Sequence, residues 1–244
     1  MKIAVIGGTG LIGSQVVKIL TADGHEAVPQ SPASGLDLLT GQGLPEALAG
    51  VDVVVNLTNS PTFDDASPAF FQTTMDNMLA AAHTAGVGHA VILSIVGADQ
   101  VPTLDYYRAK VLQEDILKAG PVPYSIVRAT QFFEFIDAVL SWTADENSVR
   151  LPTTLVQPMA AADVARAVAE VVEGPPLRGT RNVAGPEVFP LDELGRITLA
   201  ARGDQRTVIP DNTAGMFAAA PRDALIGRDD AVIAKTSYRD WLKG

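Results

Sequence analysis

The stretch KIAVIGGTGLIGSQVVKIL, residues 2–20, decides how the rest of the chain is read. Residues 3–6 form a short uninterrupted apolar run, as expected of a central parallel strand buried on both faces. Glycines follow at once, and then a helical pattern in which Ile12, Val16, Ile19 and Leu20 share one side. Gly24 suits the left-handed position that closes such a helix. The glycines at 8, 10 and 13 fit GxGxxG, and those at 7, 10 and 13 fit GxxGxxG. Either spacing meets the same physical demands. A tight turn needs residues without Cβ, a pyrophosphate needs close backbone approach, and a helix N-terminus offers free N–H groups and a positive dipole end. Gly7, Gly8, Thr9, Gly10, Leu11, Ile12 and Gly13 are therefore expected to hold a dinucleotide.

Outward from this stretch the pattern repeats. Strand-like runs at 25–30, 51–57, 90–95 and 124–129 alternate with helical patterns at 67–85 and from about 104 to 120, with further helices at 161–173 and 191–201. Strands and helices alternating at this spacing imply an α/β fold whose parallel sheet is covered on both faces. Gly174-Pro175-Pro176 reads as a turn, too short to separate independent domains.

The 244 residues suffice for one sizeable α/β domain, or for a large and a small lobe. With 47% hydrophobic and 19% charged residues, a buried core is expected. The formal net charge is −10 and the basic residues are scattered, which argues against a nucleic-acid or anionic-membrane surface. No cysteine is present, so disulfides, thiolate catalysis and Cys-ligated metals are excluded. His25, His83 and His89 stand alone, without metal-ligand spacing, and each is expected at the surface or at a helix end. No apolar run reaches the ~18 residues of a membrane span. The first apolar run is too short for a signal peptide, and a cytoplasmic protein without metal is the expectation.

The end of the second strand bears on which dinucleotide is held. An acid there would accept hydrogen bonds from the ribose hydroxyls and repel a 2′-phosphate. The sequence at that point is VPQSPAS, with no acid and no nearby arginine. Ser31 and Ser34 could donate to a 2′-phosphate with Gln30 beside them, so NADP is favoured and NAD stays open. Asp37 is read either at the adenine edge or as a loop cap.

The segment LDYYRAKVLQED, residues 104–115, carries the chemistry. On a helix, Tyr106 and Lys110 share one face one turn apart. A nearby ammonium lowers a phenol's pKa from ~10 toward the working range and can also bind nicotinamide ribose. Ser94, at the carboxyl end of its strand, is expected to orient a substrate oxygen, because ligands of such sheets bind there. Tyr107 competes with Tyr106 for the inward-facing position. After the strand at 124–129, Phe132, Phe133 and Phe135 either wall an apolar or ring-containing substrate or pack the C-terminal part. Arg128 is read as structural.

Taken together, GGTGLIG, LSIVGAD, YYRAKVLQED, PYSIVRATQFFEF, QPMAAADVARAVAEV and GTRNVAGPEVFPLDEL resemble the short-chain dehydrogenase/reductase superfamily, in its atypical NmrA-like NAD(P)H-binding branch. The likeness runs through nearly the whole chain in order. It implies a Rossmann doubly wound parallel sheet with a small C-terminal substrate lobe. Residues 1–130 would form the dinucleotide-binding core, and 131–244 would complete it and build the lobe. By matching position, Ser94, Tyr106 and Lys110 take the serine, tyrosine and lysine roles, while Asn77 matches the superfamily's helix asparagine, which this branch uses inconsistently, and stays outside the catalytic set. The implied activity is hydride transfer between NAD(P) and a carbonyl or alcohol of a small organic molecule. The branch also contains dinucleotide-sensing regulators without catalysis, and the superfamily contains epimerases, dehydratases and helix-packed homodimers. Retention of YxxxK favours an enzyme.

Overall fold

The computed structural model describes residues 1–244. In chain order its main elements are β1 (Lys2–Ile6), α1 (Leu11–Ala22), β2 (Glu26–Gln30), α2 (Leu44–Leu48), β3 (Val53–Asn56), α3 (Ser67–Ala85), β4 (His89–Ile95), α4 (Asp105–Ala119) and β5 (Tyr124–Ala129). There follow α5 (Ile136–Ser141), β6 (Ser148–Leu151), β7 (Leu155–Val156), α6 (Ala161–Glu173), β8 (Thr180–Ala184), β9 (Phe189–Pro190), α7 (Leu191–Arg202), β10 (Thr207–Pro210), β11 (Val232–Ile233) and α8 (Tyr238–Trp241). Seven strands form one parallel sheet in the order β2-β1-β3-β4-β5-β8-β11, flanked by helices as a Rossmann fold requires.

Strand order reverses at β1, which pairs in parallel with β2 on one side and β3 on the other. The crevice outside the carboxyl ends of β1 and β3 is thus the topological switch point, where ligands of open α/β sheets bind. Ile3, Ala4, Val5 and Ile6 are all buried, so both faces of β1 are covered and its apolar run does not alternate. On one face Ala4, Ile6, Val54, Ala90, Ile92 and Ile126 pack with Met75, Met78, Leu79 and Leu117 from α3 and α4.

The chain divides into two compact units. One comprises Met1–Ser94, Asp105–Arg128 and Val164–Arg181; the other comprises Ile95–Leu104, Ala129–Asp163 and Asn182–Gly244. In the second, β6 pairs in parallel with β10 and β7 antiparallel with β9. These short strands escape sequence reading because they carry no sustained period. No helix is long and apolar enough to cross a membrane.

His89 departs from expectation. Rather than standing at the surface, it begins β4 inside the first unit, with Nε2 2.8 Å from Ser125 Oγ and Nδ1 without a partner. Burial drives its imidazole down to about 4. The unfolded ring has a pKa near ~6.5 and takes up protons that the folded ring refuses. Its contribution is therefore fully present above pH ~6.5 and is lost as pH falls toward 4. On acidification from pH 7 to 4, this group should remove on the order of 2 kcal/mol from the unfolding free energy. Urea titrations across that range should show a flatter pH dependence for His89→Gln; identical curves would refute the assignment.

Candidate active site

The glycine loop is wedged between β2 and the end of β3. Gly7 has φ +79°, a left-handed conformation that favours glycine. Its N–H donates to Gln30 O at 2.9 Å, and a Cβ there would lie 3.0 Å from the Leu57 carbonyl carbon. A Cβ on Gly8 would meet Val5 O at 2.6 Å and Pro29 Cα at 2.7 Å; one on Gly13 would strike Gly7 O at 2.1 Å. Thus Gly8 and Gly13 are packing glycines, which let β2 and α1 close on the turn. Gly10, the N-cap of α1, has no side chain to satisfy the first-turn N–H groups. Thr9, Gly10 and Leu11 are exposed, whereas Ile12 is buried in the core. This backbone cradle, with an uncapped helix end above it, fits a pyrophosphate.

At the end of β2 the chain turns through residues 31–35. Ser34 Oγ accepts from Ser31 N–H at 2.9 Å and lies 2.8 Å from Ser31 O and 3.2 Å from Gln30 Oε1. Its hydroxyl is thus engaged within the turn, and Ser31 is buried. Gln30 and Ser34 line a cleft of about 520 Å³ that also carries Gln42 and Glu46. Asp37 caps its own loop, accepting from Leu39 N–H at 2.8 Å. That hydrogen bond and one from the Thr40 side chain hold its carboxyl below the usual range.

Tyr106 lies at the start of α4 with its ring largely buried, and its hydroxyl donates to Asn59 Oδ1, just beyond β3. Burial pushes the phenol up to about 12, only partly offset by the Asn59 hydrogen bond. Lys110, one turn on, points elsewhere. Its ammonium donates to Leu93 O at 2.8 Å and to Gln113 Oε1, and lies 4.9 Å from the centre of the Phe71 ring. The expected ammonium-to-phenol coupling is therefore not what this geometry provides: the phenol is raised, not lowered. Burial raises the phenol, while the Lys110 ammonium is engaged by two oxygens and an aromatic face. Burial also drives the Lys110 ammonium down to about 7, against the pull of the Glu114 charge.

Ser94 reaches the carboxyl end of β4 as expected, but its hydroxyl donates to Glu114 Oε1 at 2.6 Å. Arg128 meets the same carboxylate through Nε and one terminal nitrogen, each at 2.8 Å. Burial would raise the Glu114 carboxyl, but the Arg128 and Ser94 hydrogen bonds and the Arg128 and Lys118 charges hold it below the carboxylate range. Ser94 is thus tied to α4 through Glu114, and the structural reading of Arg128 agrees with its contacts. Asn77 donates to Leu38 O at 2.8 Å and Leu39 O at 3.1 Å, fixing the loop before α2.

Within the second unit, Phe133 is buried against Tyr238 and Trp241, with ring centroids at 4.9 and 5.5 Å. Phe135 lies edge-on to Trp142 at 5.4 Å, and Phe132 bridges to Met159. Of the two readings of this aromatic run, packing describes Phe133 and Phe135. Asn59, Gln113 and Glu114 were missed in the sequence. The polar run NLTNS at 56–60, breaking off a valine strand, was the available signal for Asn59.

A family model described as NAD(P)H-binding matches residues 7–175, more than half of the chain. The chain belongs to the NAD(P)H-binding family. It is 28% identical over 208 residues, 77% of this chain and 69% of the relative, to (4-alkanoyl-5-oxo-2,5-dihydrofuran-3-yl)methyl phosphate reductase of Streptomyces griseus. Among solved structures, the triphenylmethane reductase of Citrobacter sp. complexed with NADP(H) superposes with a TM-score of 0.72 at 21% identity, over 94% of this chain and 93% of that one. The NADPH-dependent quinone oxidoreductase QOR2 of Escherichia coli, complexed with NADPH, gives 0.69 at 22% identity, covering 86% and 78%. The expectation of a dinucleotide-binding Rossmann protein agrees with this membership.

In this NAD(P)H-binding protein Lys110 is an expensive residue to keep. An ammonium buried with two neutral oxygen acceptors destabilises the fold at neutral pH, because the unfolded side chain binds its proton more readily. Its lowered pKa means that stability rises with pH between about 7 and the model-peptide value of ~10.4. Lys110→Met should flatten the rise of the thermal midpoint with pH over that range, and an unchanged slope would refute the depressed ammonium.

Proposed function

We propose that the protein is an NADP(H)-dependent reductase of a carbonyl group on a small organic molecule. The observation that carries this reading is the Tyr106 hydroxyl, held by Asn59 beyond β3, the strand whose end also meets the glycine loop. Residues 7–13 would bind the pyrophosphate through backbone N–H groups, and the bound cofactor would supply the hydride. On substrate binding the carbonyl oxygen would replace Asn59 Oδ1 as the acceptor of the Tyr106 hydroxyl, and Tyr106 would then give its proton to that oxygen. With its phenol near 12, it is protonated at neutral pH and can act as a donor but not as a base. An alkoxide formed by hydride addition is more basic than that phenolate, so the transfer runs downhill. This supports reduction over alcohol oxidation.

Asn59 orients the phenol, while Ser94, whose proton is engaged by Glu114, secures the end of β4 to α4. Lys110 ties the Leu93 carbonyl to the same helix. The lack of an acid between residues 30 and 35 supports NADP(H). Glu46 on the wall of the cleft beside Gln30 and Ser34 supports NAD(H) as the second reading. Fluorescence titration with NADPH and NADH distinguishes them: if NADPH binds more tightly, the 2′-phosphate reading stands.

Tyr106→Phe should bind cofactor with unchanged affinity yet lose about 10²-fold or more in reduction rate. In the wild type the reduction rate should show no alkaline fall from this group between pH 6 and 10. Undiminished turnover in the phenylalanine variant would sink the proposal.

A further inference from the structure

The aromatic residue beside Tyr106 does not come from the 132–135 run but from the loop before α3. Phe63 sits edge-on to the Tyr106 ring with centroids 4.7 Å apart, and it remains 48% exposed. Single exposed apolar side chains are commonplace on proteins and by themselves signify little. Phe63 differs because the loop holding it is built to keep it there. Ser67 Oγ lies 2.7 Å from Thr62 O and 3.1 Å from Ser60 Oγ. Ala66 N–H donates to Asp64 Oδ1 at 3.1 Å, and Ser60 N–H to Asn59 Oδ1 at 3.0 Å, the same oxygen that receives the Tyr106 proton. One polar loop thus fixes the orientation of the phenol and the position of a half-exposed ring against it.

Building on the reductase reading, we propose that Phe63 is a specificity-determining residue that seats a planar aromatic substrate by packing its exposed face against the substrate ring, beside the Tyr106 hydroxyl. The carbonyl oxygen would then accept from Tyr106 while the ring rests on Phe63. Offset or edge-to-face ring contacts favour aromatic over aliphatic carbonyl compounds.

The test uses full-length wild type, Phe63→Ser and Phe63→Trp, saturated with whichever of NADP⁺ or NAD⁺ binds more tightly, so that no reduction occurs during binding. Calorimetry with 2-naphthaldehyde should give roughly fivefold to tenfold weaker binding in Phe63→Ser, recovered in Phe63→Trp. Cofactor affinity should stay unchanged, and the loss for 2-naphthaldehyde should exceed any loss for butanal in the same titration. Equal naphthaldehyde affinity in wild type and Phe63→Ser, or no wild-type preference over butanal, overturns the proposal. Phe63-dependent binding without turnover of either aldehyde would leave the aromatic seat standing and sink the reductase reading instead.

Discussion

Backbone must pass backbone at the turn after β1 with no side chain in the way. The 2.1 Å at which a Gly13 Cβ would meet Gly7 O measures how tightly α1 closes on that turn. The Gly8 contacts with Val5 and Pro29 set the same limit toward β2, and those of Gly7 set it toward the end of β3. Remove these approaches and α1 could not aim its uncapped end across the switch point. Everything described at that edge, from the nucleotide cradle to the loop beyond β3, is positioned by that closure.

A second constraint acts through α4. Its inward side chains do not form one catalytic cluster; they divide into separate tasks. Glu114 gathers Ser94 and Arg128, Lys110 gathers Leu93 O and Gln113, and Tyr106 reaches across to Asn59. Gln113 and Asn56 also approach the Met75 sulfur, at 3.7 and 3.6 Å, linking α4, α3 and β3 in one buried polar chain. Such a network rigidifies when each member is satisfied.

The aromatic side chains show the same partition of labour. Phe133 joins Tyr238 and Trp241 in the core of the second unit, whereas Phe63 keeps a free face beside Tyr106. A run of phenylalanines after β5 announces apolar surface but not what will cover it. A lone phenylalanine in a Ser- and Asp-rich loop gives no periodic signal, although its surroundings are the more suggestive.

By itself the sequence determined five of the sheet's seven strands, its long helices and the nucleotide loop, because these follow from local rules: apolar periodicity, helix stops and turns that tolerate no Cβ; β8 and β11 carry no such pattern. Helices α3 and α6 fall where their patterns place them, at Ser67–Ala85 and Ala161–Glu173. The tertiary structure alone decided which acceptor each polar side chain would choose. Tyr106 and Asn59 are 47 residues apart, and Ser94 and Glu114 are 20 apart. Spacing brought Lys110 within a turn of Tyr106, but its ammonium went to Gln113 Oε1 in its own helix and to Leu93 O on β4.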